Sequence, residues 1–208
     1  MIQIPSKRVE NVVEALSRLP GIGKKSALRL ALYILKCDDT EAEFLSESIL
    51  RMKKETQFCT ICHNISDQNI CSLCNNNSRN SSVVCVVEDV RDFMAIENTG
   101  QFNGRYHILG GIISPMDGVS PDDLTIDSLI NRVEKEEIKE IILALPTTVE
   151  GDTTSYFIYR KLQHTSVKIT AIARGVAIGD DLEYTDEITL GRSILHRLPY
   201  DGSSKRSN

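Results

Sequence analysis

Residues 59–74 read Cys-Thr-Ile-Cys-His-Asn-Ile-Ser-Asp-Gln-Asn-Ile-Cys-Ser-Leu-Cys, two Cys-x-x-Cys pairs separated by eight residues. At this spacing four thiolates can close a tetrahedron around one Zn²⁺ ion, and four cysteine ligands leave no position open for a catalytic water. The residues between the pairs are mostly turn formers, so the bound metal must supply the folding energy, on the order of 10 kcal/mol. The sequence therefore predicts a structural zinc site with the ligands Cys59, Cys62, Cys71 and Cys74.

Three other uses of these cysteines fit the sequence less well. Disulfides are rarely kept in a cytosolic chain. The stretch 59–63 matches the Cys-x-x-Cys-His pattern of haem attachment, but a second Cys-x-x-Cys pair follows closely. A redox-active pair would open a helix after a strand, whereas this one follows a predicted helix. The two remaining cysteines, Cys37 and Cys85, are expected to be small buried residues.

Residues 1–57 are predicted to be an all-helical module, because apolar residues recur there at helical spacing. The helices are expected at 7–19, with Ser6 as the N-cap, at 24–36 and at 41–57. Residues 1–36 carry seven basic and two acidic side chains, a net charge of +5, although the whole chain of 208 residues has a net charge of −5. This asymmetry indicates a basic binding end and an acidic remainder.

The first two predicted helices are joined by Leu-Pro-Gly-Ile-Gly-Lys-Lys-Ser at 19–26. Glycines permit positive φ in such a turn, and the N–H groups of the following helix N-terminus can hold a DNA phosphate. An ordinary turn with solvated lysines is the alternative. A P-loop is excluded because Arg18 stands where its first glycine is required, and a dinucleotide fingerprint because Ser26 replaces its third. The expected DNA contacts are Gly21, Gly23, Lys24, Lys25 and Arg29.

After residue 82 the pattern changes to short apolar, β-branched runs that alternate with helical patterns. Such alternation predicts an α/β domain with a mainly parallel sheet and helices on its faces. The polar residues 75–82 are expected to be a linker. A last helix is expected at 186–198, followed by a disordered tail at 201–208. The predicted strands lie at 83–87, 106–109, 140–145 and 167–173.

The order of these parts closely resembles one family, the bacterial recombination mediator RecR, over about residues 6–200. Residues 19–30 look like a helix-hairpin-helix DNA-binding motif, and Val-Val-Cys-Val-Val-Glu at 83–88 looks like the start of a Toprim domain. The four cysteines and Arg-Gly-Val-Ala-Ile-Gly-Asp-Asp-Leu-Glu-Tyr at 174–184 complete the resemblance. It implies a multidomain α plus α/β protein: a helix-hairpin-helix module at 1–57, a four-cysteine zinc finger at 58–75, a Toprim domain at 82–178 and a C-terminal segment with a helix at 179–200.

Three carboxylates, Glu88, Glu150 and Asp152, follow predicted strands. Because the carboxyl ends of parallel strands converge, they resemble the Toprim layout that binds Mg²⁺ in primases and topoisomerases. The resemblance to RecR implies instead that this acidic face contacts the partner protein RecO. A magnesium site and a solvated helix start are the alternatives. The neighbouring Asp89, Asp92 and Glu97 are expected on an exposed helix face.

The family resemblance implies a non-catalytic recombination mediator that binds DNA and, with RecO and RecF type partners, promotes recombinase loading at gapped DNA. It also implies a ring-like homotetramer. The main alternative is a Mg²⁺-dependent Toprim nuclease or primase-like enzyme, and a third reading is a scaffold that contacts DNA only weakly. The sequence has no apolar run of 18 residues and no secretory signal, so we expect a cytoplasmic protein without a membrane span.

Overall fold

The computed structural model of the protein describes residues 4–199. The chain divides into two compact units, with the boundary after Gln57. The predicted disordered tail at 201–208 lies outside the described residues. No helix in the described part of the chain is long and apolar enough to cross a membrane.

The first unit contains three helices, as the apolar spacing predicts, and each ends two residues before its predicted end. The Ser6 hydroxyl accepts a hydrogen bond from the Val9 N–H at 3.5 Å, so the first helix begins with the predicted N-cap. Pro20 and Gly21 follow its end and separate it from the second helix. The helices are α1 (Lys7–Ser17), α2 (Lys24–Ile34) and α3 (Asp39–Glu55).

The core of the first unit lies mainly between α1 and α2. Val13 of α1 is buried with Ala27 and Ala31 of α2, whose small side chains allow the two helices to approach closely. The third helix, α3, buries no residue, and its Phe44 and Ile49 are more than half exposed. The apolar face that the sequence predicts for α3 is therefore present, but it is not covered within this unit.

A four-stranded, all-parallel sheet forms the centre of the second unit. Parallel neighbours need crossover connections, and helices provide them here. The α/β fold class predicted from the sequence is confirmed. In the segment 57–74, β1 (Gln57–Phe58) pairs with β2 (Ile65–Ser66); residues 59–74 are called the cysteine loop below. The parallel sheet has the order β4 (Gly104–Ile108), β3 (Asn80–Val87), β5 (Glu140–Ala144) and β6 (Lys168–Ala171). The helices of this unit are α4 (Val90–Glu97), α5 (Ile126–Lys135), α6 (Val149–Leu162) and α7 (Glu187–Leu195).

Two apolar layers lie on opposite faces of the parallel sheet. Because alternate residues of a strand point to opposite faces, Val84 and Val86 of β3 pack with α5 and α6, whereas Cys85 and Val87 pack with α4.

Cys85 is buried as predicted, and burial raises the pKa of its thiol to about 12, so it stays protonated at neutral pH. Cys37 is only partly buried, and the prediction for it is wrong.

The polar segment at 75–82 is not an unattached linker, contrary to the prediction from its composition. Strand β3 already begins at Asn80, and the Arg79 side chain is only 7% exposed. The Arg79 guanidinium forms a bidentate ion pair with Glu97, at 2.7 and 2.9 Å, and its Nε donates to the Gly104 carbonyl at 2.8 Å. The prediction that Glu97 lies on an exposed helix face is therefore wrong, because its side chain is only 32% exposed and the ion pair attaches the end of α4 to the start of β3.

Candidate functional site

The four cysteine side chains come together in one buried cluster, with all ligand atoms within 4.8 Å of one another. Two backbone N–H groups donate to sulfur: that of Cys71 to Cys59 Sγ at 3.4 Å, and that of Cys74 to Cys71 Sγ at 3.5 Å. Such bonds favour the thiolate, which is the form of cysteine that binds metal. Four buried sulfur donors at these distances fit a tetrahedral zinc ion in a structural role.

Backbone hydrogen bonds close the loop between the two Cys-x-x-Cys pairs. The Cys59 N–H donates to the Asn64 carbonyl at 2.7 Å, and the Thr60 N–H donates to the Asn69 carbonyl at 2.9 Å. Directly after the first pair, His63 has a φ of 60°, a left-handed conformation that is uncommon outside glycine. The chain therefore turns sharply at His63, between the first pair and β2.

The cysteine loop is attached to the edge strand of the parallel sheet. The Ile108 N–H of β4 donates to the Cys62 carbonyl at 2.9 Å. The Nε2 atom of His63 lies 2.7 Å from the Ser128 hydroxyl of α5, and the His63 ring contacts His107 edge-on, with 5.1 Å between ring centroids. Because β4 has a strand neighbour on one side only, the loop covers backbone groups that would otherwise lack partners.

Two further side chains cover the same edge of β4. Arg132, itself buried, donates from Nη1 to the Tyr106 carbonyl at 2.8 Å, and the Thr125 hydroxyl donates to the Ile108 carbonyl at 2.7 Å. On the same strand, burial lowers the pKa of the His107 imidazole to about 3, so this ring is neutral at physiological pH. The cysteine loop, α5 and Thr125 therefore cover the open edge of β4 together.

The glycine turn between α1 and α2 leaves N–H groups open to a ligand. Gly21 has a φ of 78°, a conformation that favours glycine, and Gly23 is the N-cap of α2. Gly23 has no side chain with which to cap the helix, so the first N–H groups of α2 are left for water or an anion. Apart from chain neighbours, no atom of residues 4–199 lies within 4 Å of the position that a Cβ would take at either glycine. Both glycines therefore face open space.

The three predicted cations, Lys24, Lys25 and Arg29, lie on the first two turns of α2 and are exposed. Within residues 4–199 none of them lies within 4 Å of a carboxylate, whereas Lys7 and Arg18 form ion pairs with glutamates of α1. The first turn of α2 contains no acidic residue. The structure thus brings the five predicted DNA-binding residues together at one helix N-terminus, where positive charge and free N–H groups coincide.

The three predicted acidic residues lie at the carboxyl end of the parallel sheet. Glu88 directly follows β3, and Glu150 and Asp152 lie in the first turn of α6, after β5. Their ligand atoms do not gather as a metal site requires. In the part of the chain that the structure describes, the four cysteines are the only group of three or more His, Cys, Asp or Glu residues close enough to hold an ion.

Asp152 is engaged by arginines of the same chain. Its Oδ1 accepts a hydrogen bond from Arg174 at 2.6 Å, and its Oδ2 lies 3.9 Å from Arg192 of α7. The Arg174 guanidinium holds the pKa of Asp152 below its usual range. Glu88 differs, because partial burial and the nearby Asp92 raise its pKa. Asp152 is therefore paired with a cation of its own chain, whereas within residues 4–199 neither Glu88 nor Glu150 forms an ion pair.

Four family models match consecutive segments of the chain. Residues 9–53 match the helix-hairpin-helix of RecR, and residues 56–76 match the four-cysteine zinc finger domain of RecR. Residues 82–173 match the Toprim domain, and residues 175–197 match the C-terminal model of RecR. The matches to the helix-hairpin-helix and the zinc finger contain the glycine turn and the cysteine cluster described above.

Curated relatives match the chain over almost its whole length. It is 57% identical over 203 residues to Recombination protein RecR of Parabacteroides distasonis, with 98% of each chain covered. It is 54% identical to Recombination protein RecR of Bacteroides thetaiotaomicron, over 97% of this chain and 98% of that one. The protein of the same name from Flavobacterium johnsoniae is 51% identical, over 99% and 100%.

Proposed function

The chain belongs to the RecR family of recombination proteins, and we propose that it acts in recombinational DNA repair as a non-catalytic mediator that binds DNA through its glycine turn. The observation that carries this proposal is the open N-terminus of α2, with two exposed glycines and three cations that no carboxylate of residues 4–199 neutralises. Zinc binding is indicated by the buried cysteine cluster together with the match to the four-cysteine zinc finger.

The chemistry of the glycine turn favours the DNA backbone over the bases. Backbone N–H groups and lysines contact phosphate oxygens, which carry no sequence information. Each phosphate that is neutralised releases counterions, so affinity falls steeply as salt concentration rises. Because the chain as a whole has a net charge of −5, binding depends on the cations of its basic end. We therefore expect DNA binding that is independent of sequence and strongly dependent on salt.

Charge reversal on α2 tests this proposal. The double variant Lys25→Glu with Arg29→Glu should abolish binding of duplex DNA in a gel-shift titration at low salt, because two phosphate contacts become repulsions. The slope of log affinity against log salt concentration is about −0.9 for each phosphate contact. This slope should become less steep for any binding that remains. A matched control is Lys53→Glu with Lys54→Glu in the last turn of α3, which changes the net charge by the same amount. Binding that the Lys25/Arg29 variant retains in full, or that both variants lose alike, would reject the assignment.

The non-catalytic part of the proposal is supported by the geometry of the acidic face. Asp152 is paired with Arg174, and the three carboxylates do not converge as metal-assisted phosphoryl chemistry requires. The same DNA-binding sample, incubated with supercoiled, nicked and gapped DNA plus Mg²⁺ or Mn²⁺, should leave every substrate unchanged. Cleavage, relaxation or primer synthesis that depends on Glu88 or Glu150 would establish a Toprim enzyme instead.

The proposal includes protein partners and assembly. We assign the acidic face of Glu88, Glu150 and Asp152 to contact with a RecO type partner, because several carboxylates at the carboxyl end of the sheet suit a basic surface. RecF type partners, recombinase loading at gapped DNA and a ring-like homotetramer are proposed on the resemblance to the family alone. If Asp152 takes part, a basic group of the partner must compete with Arg174 for its carboxylate.

A further inference from the structure

The solvent-facing side of α6 carries two tyrosines and an arginine that have no part in the proposed function so far. Tyr156 and Tyr159 are 59% and 50% exposed, and Arg160 is exposed as well. Residues three and four positions apart share one face of a helix, so these three side chains form one stripe. The opposite face of α6 is buried in the core through Ile158 and Leu162. The stripe is therefore available to a ligand without any change to the core.

The three side chains of this stripe form a pair of nearly parallel aromatic rings with a cation beside one of them. The rings of Tyr156 and Tyr159 are stacked, with 29° between their planes and 6.5 Å between their centroids. The Arg160 Cζ lies 5.9 Å from the centroid of the Tyr156 ring, and its Nη1 donates to the Tyr156 hydroxyl at 3.3 Å. Arg160 thus steadies one ring while part of its guanidinium stays open to solvent.

The charges around the stripe favour an anionic partner. Arg160 and Lys161 occupy the last turn of α6, and the helix contains no acidic residue after Asp152. Asp152, one turn before Tyr156, is already paired with Arg174. The Tyr156 ring therefore lies next to the cationic Arg160, in a chain whose overall charge is negative.

We propose that this face of α6 binds single-stranded DNA, with bases stacked on Tyr156 and Tyr159 and a backbone phosphate on Arg160. The proposal rests on the proposed function, since it specifies which form of DNA the α/β unit contacts. Every base has a π-face, so stacking on aromatic side chains tolerates any sequence. In a duplex the faces of the bases are covered by their neighbours, so only an unpaired strand can use the two rings. The glycine turn, by contrast, requires only phosphates.

Full-length protein and a fluorescent oligothymidylate of about 20 nucleotides, longer than the site size of a typical single-strand binding domain, test this inference by anisotropy. The variant Tyr156→Ala with Tyr159→Ala should bind the oligonucleotide at least about tenfold more weakly, since each stacked base contributes about that factor. The matched variant Tyr156→Phe with Tyr159→Phe keeps both rings and should bind like the wild type. Both variants should bind a duplex of the same length as the wild type does. Circular dichroism and thermal unfolding verify that the folds are equal.

A photocrosslink locates the contact directly. The same oligonucleotide with 5-iodouracil in place of thymine should crosslink to a peptide containing Tyr156 or Tyr159. The chain has no Trp and six Tyr, two of which are Tyr156 and Tyr159, so mapping the crosslinked peptide distinguishes this site from other aromatic residues. The crosslink should persist in the Lys25→Glu with Arg29→Glu variant, because the two sites lie in separate units.

Different results would overturn the α6 site and the glycine turn. Unaltered single-strand affinity in the Ala variant, with crosslinks outside α6, would overturn the α6 site and leave the result for Lys25 and Arg29 standing. Conversely, full duplex binding by the Lys25/Arg29 variant would reject the glycine turn, whatever the tyrosines do. If the Ala variant changes only the molar mass in light scattering, α6 is a protein contact and the single-strand proposal is wrong.

Discussion

Removing zinc should free one particular amide of the parallel sheet. The Ile108 N–H donates to the carbonyl of Cys62, a predicted zinc ligand, and the Ile108 residue is only 3% exposed. Without metal the four thiols no longer hold the cysteine loop in its closed form, so the Cys62 carbonyl moves away from β4. A buried N–H without its acceptor costs about 1–3 kcal/mol, which corresponds to about 5- to 150-fold faster exchange of that amide with solvent.

The next residue supplies the control for this measurement. The Leu109 N–H donates to the Val87 carbonyl at 3.0 Å, inside the parallel sheet, and does not involve the cysteine loop. Hydrogen exchange resolved to single residues, on zinc-loaded protein and on protein treated with a chelator and a reductant, should therefore show acceleration at Ile108 well above that at Leu109. Equal acceleration at both amides would mean that the whole sheet depends on zinc. Unchanged exchange at Ile108 would refute the attachment of the loop to β4.

Two further changes test the packing of the second unit by urea denaturation. Arg79→Ala should cost about 3 kcal/mol, the low end for a broken buried ion pair because Glu97 keeps some contact with water. Since Arg79 lowers the pKa of Glu97, the stability advantage of the wild type over Glu97→Gln should be present at pH 7 and disappear as the pH falls below about 4; an advantage that is independent of pH would contradict the ion pair. Gly151→Ala should destabilise by more than about 3 kcal/mol, because its Cβ would lie 2.0 Å from the Pro146 carbonyl oxygen. Gly191→Ala in α7 should be neutral or stabilising, because apart from chain neighbours and the backbone of α7 no atom of residues 4–199 lies within 4 Å of the new Cβ. Similar losses in the two variants would rule out the steric explanation.

Local patterns were sufficient to predict the elements of the fold. Apolar spacing located α1 to α3, and the β-branched runs located all four strands of the parallel sheet, because both signals depend on neighbouring residues. The cysteine cluster was predictable for the same reason, since its two pairs lie within 16 residues of sequence, 59–74. The glycine turn likewise consists of residues close in sequence, so the sequence alone was sufficient to predict that the five proposed DNA-binding residues lie near one another.

The contacts that attach these parts to one another could not be predicted. The Arg79–Glu97 and Asp152–Arg174 pairs are separated by 18 and 22 residues, and composition alone assigned Arg79 to a linker. The contact of His63 with Ser128 spans 65 residues, and a single histidine after a cysteine pair has no periodicity that indicates a partner. Long-range polar contacts depend on the folded geometry, so the sequence contained no signal for them.

The position of the cysteine loop along the chain has a consequence for synthesis. Residues 59–74 leave the ribosome before β4, the strand whose open edge they cover. If the nascent chain has already bound zinc, the folded cysteine loop can therefore pair with β4 as soon as Ile108 leaves the ribosome. In a cell short of zinc, the newly made strand would instead present unpaired N–H and C=O groups to other nascent chains, the situation in which edge-to-edge aggregation begins. We therefore expect the metal to protect the nascent chain from aggregation as well as to stabilise the folded protein.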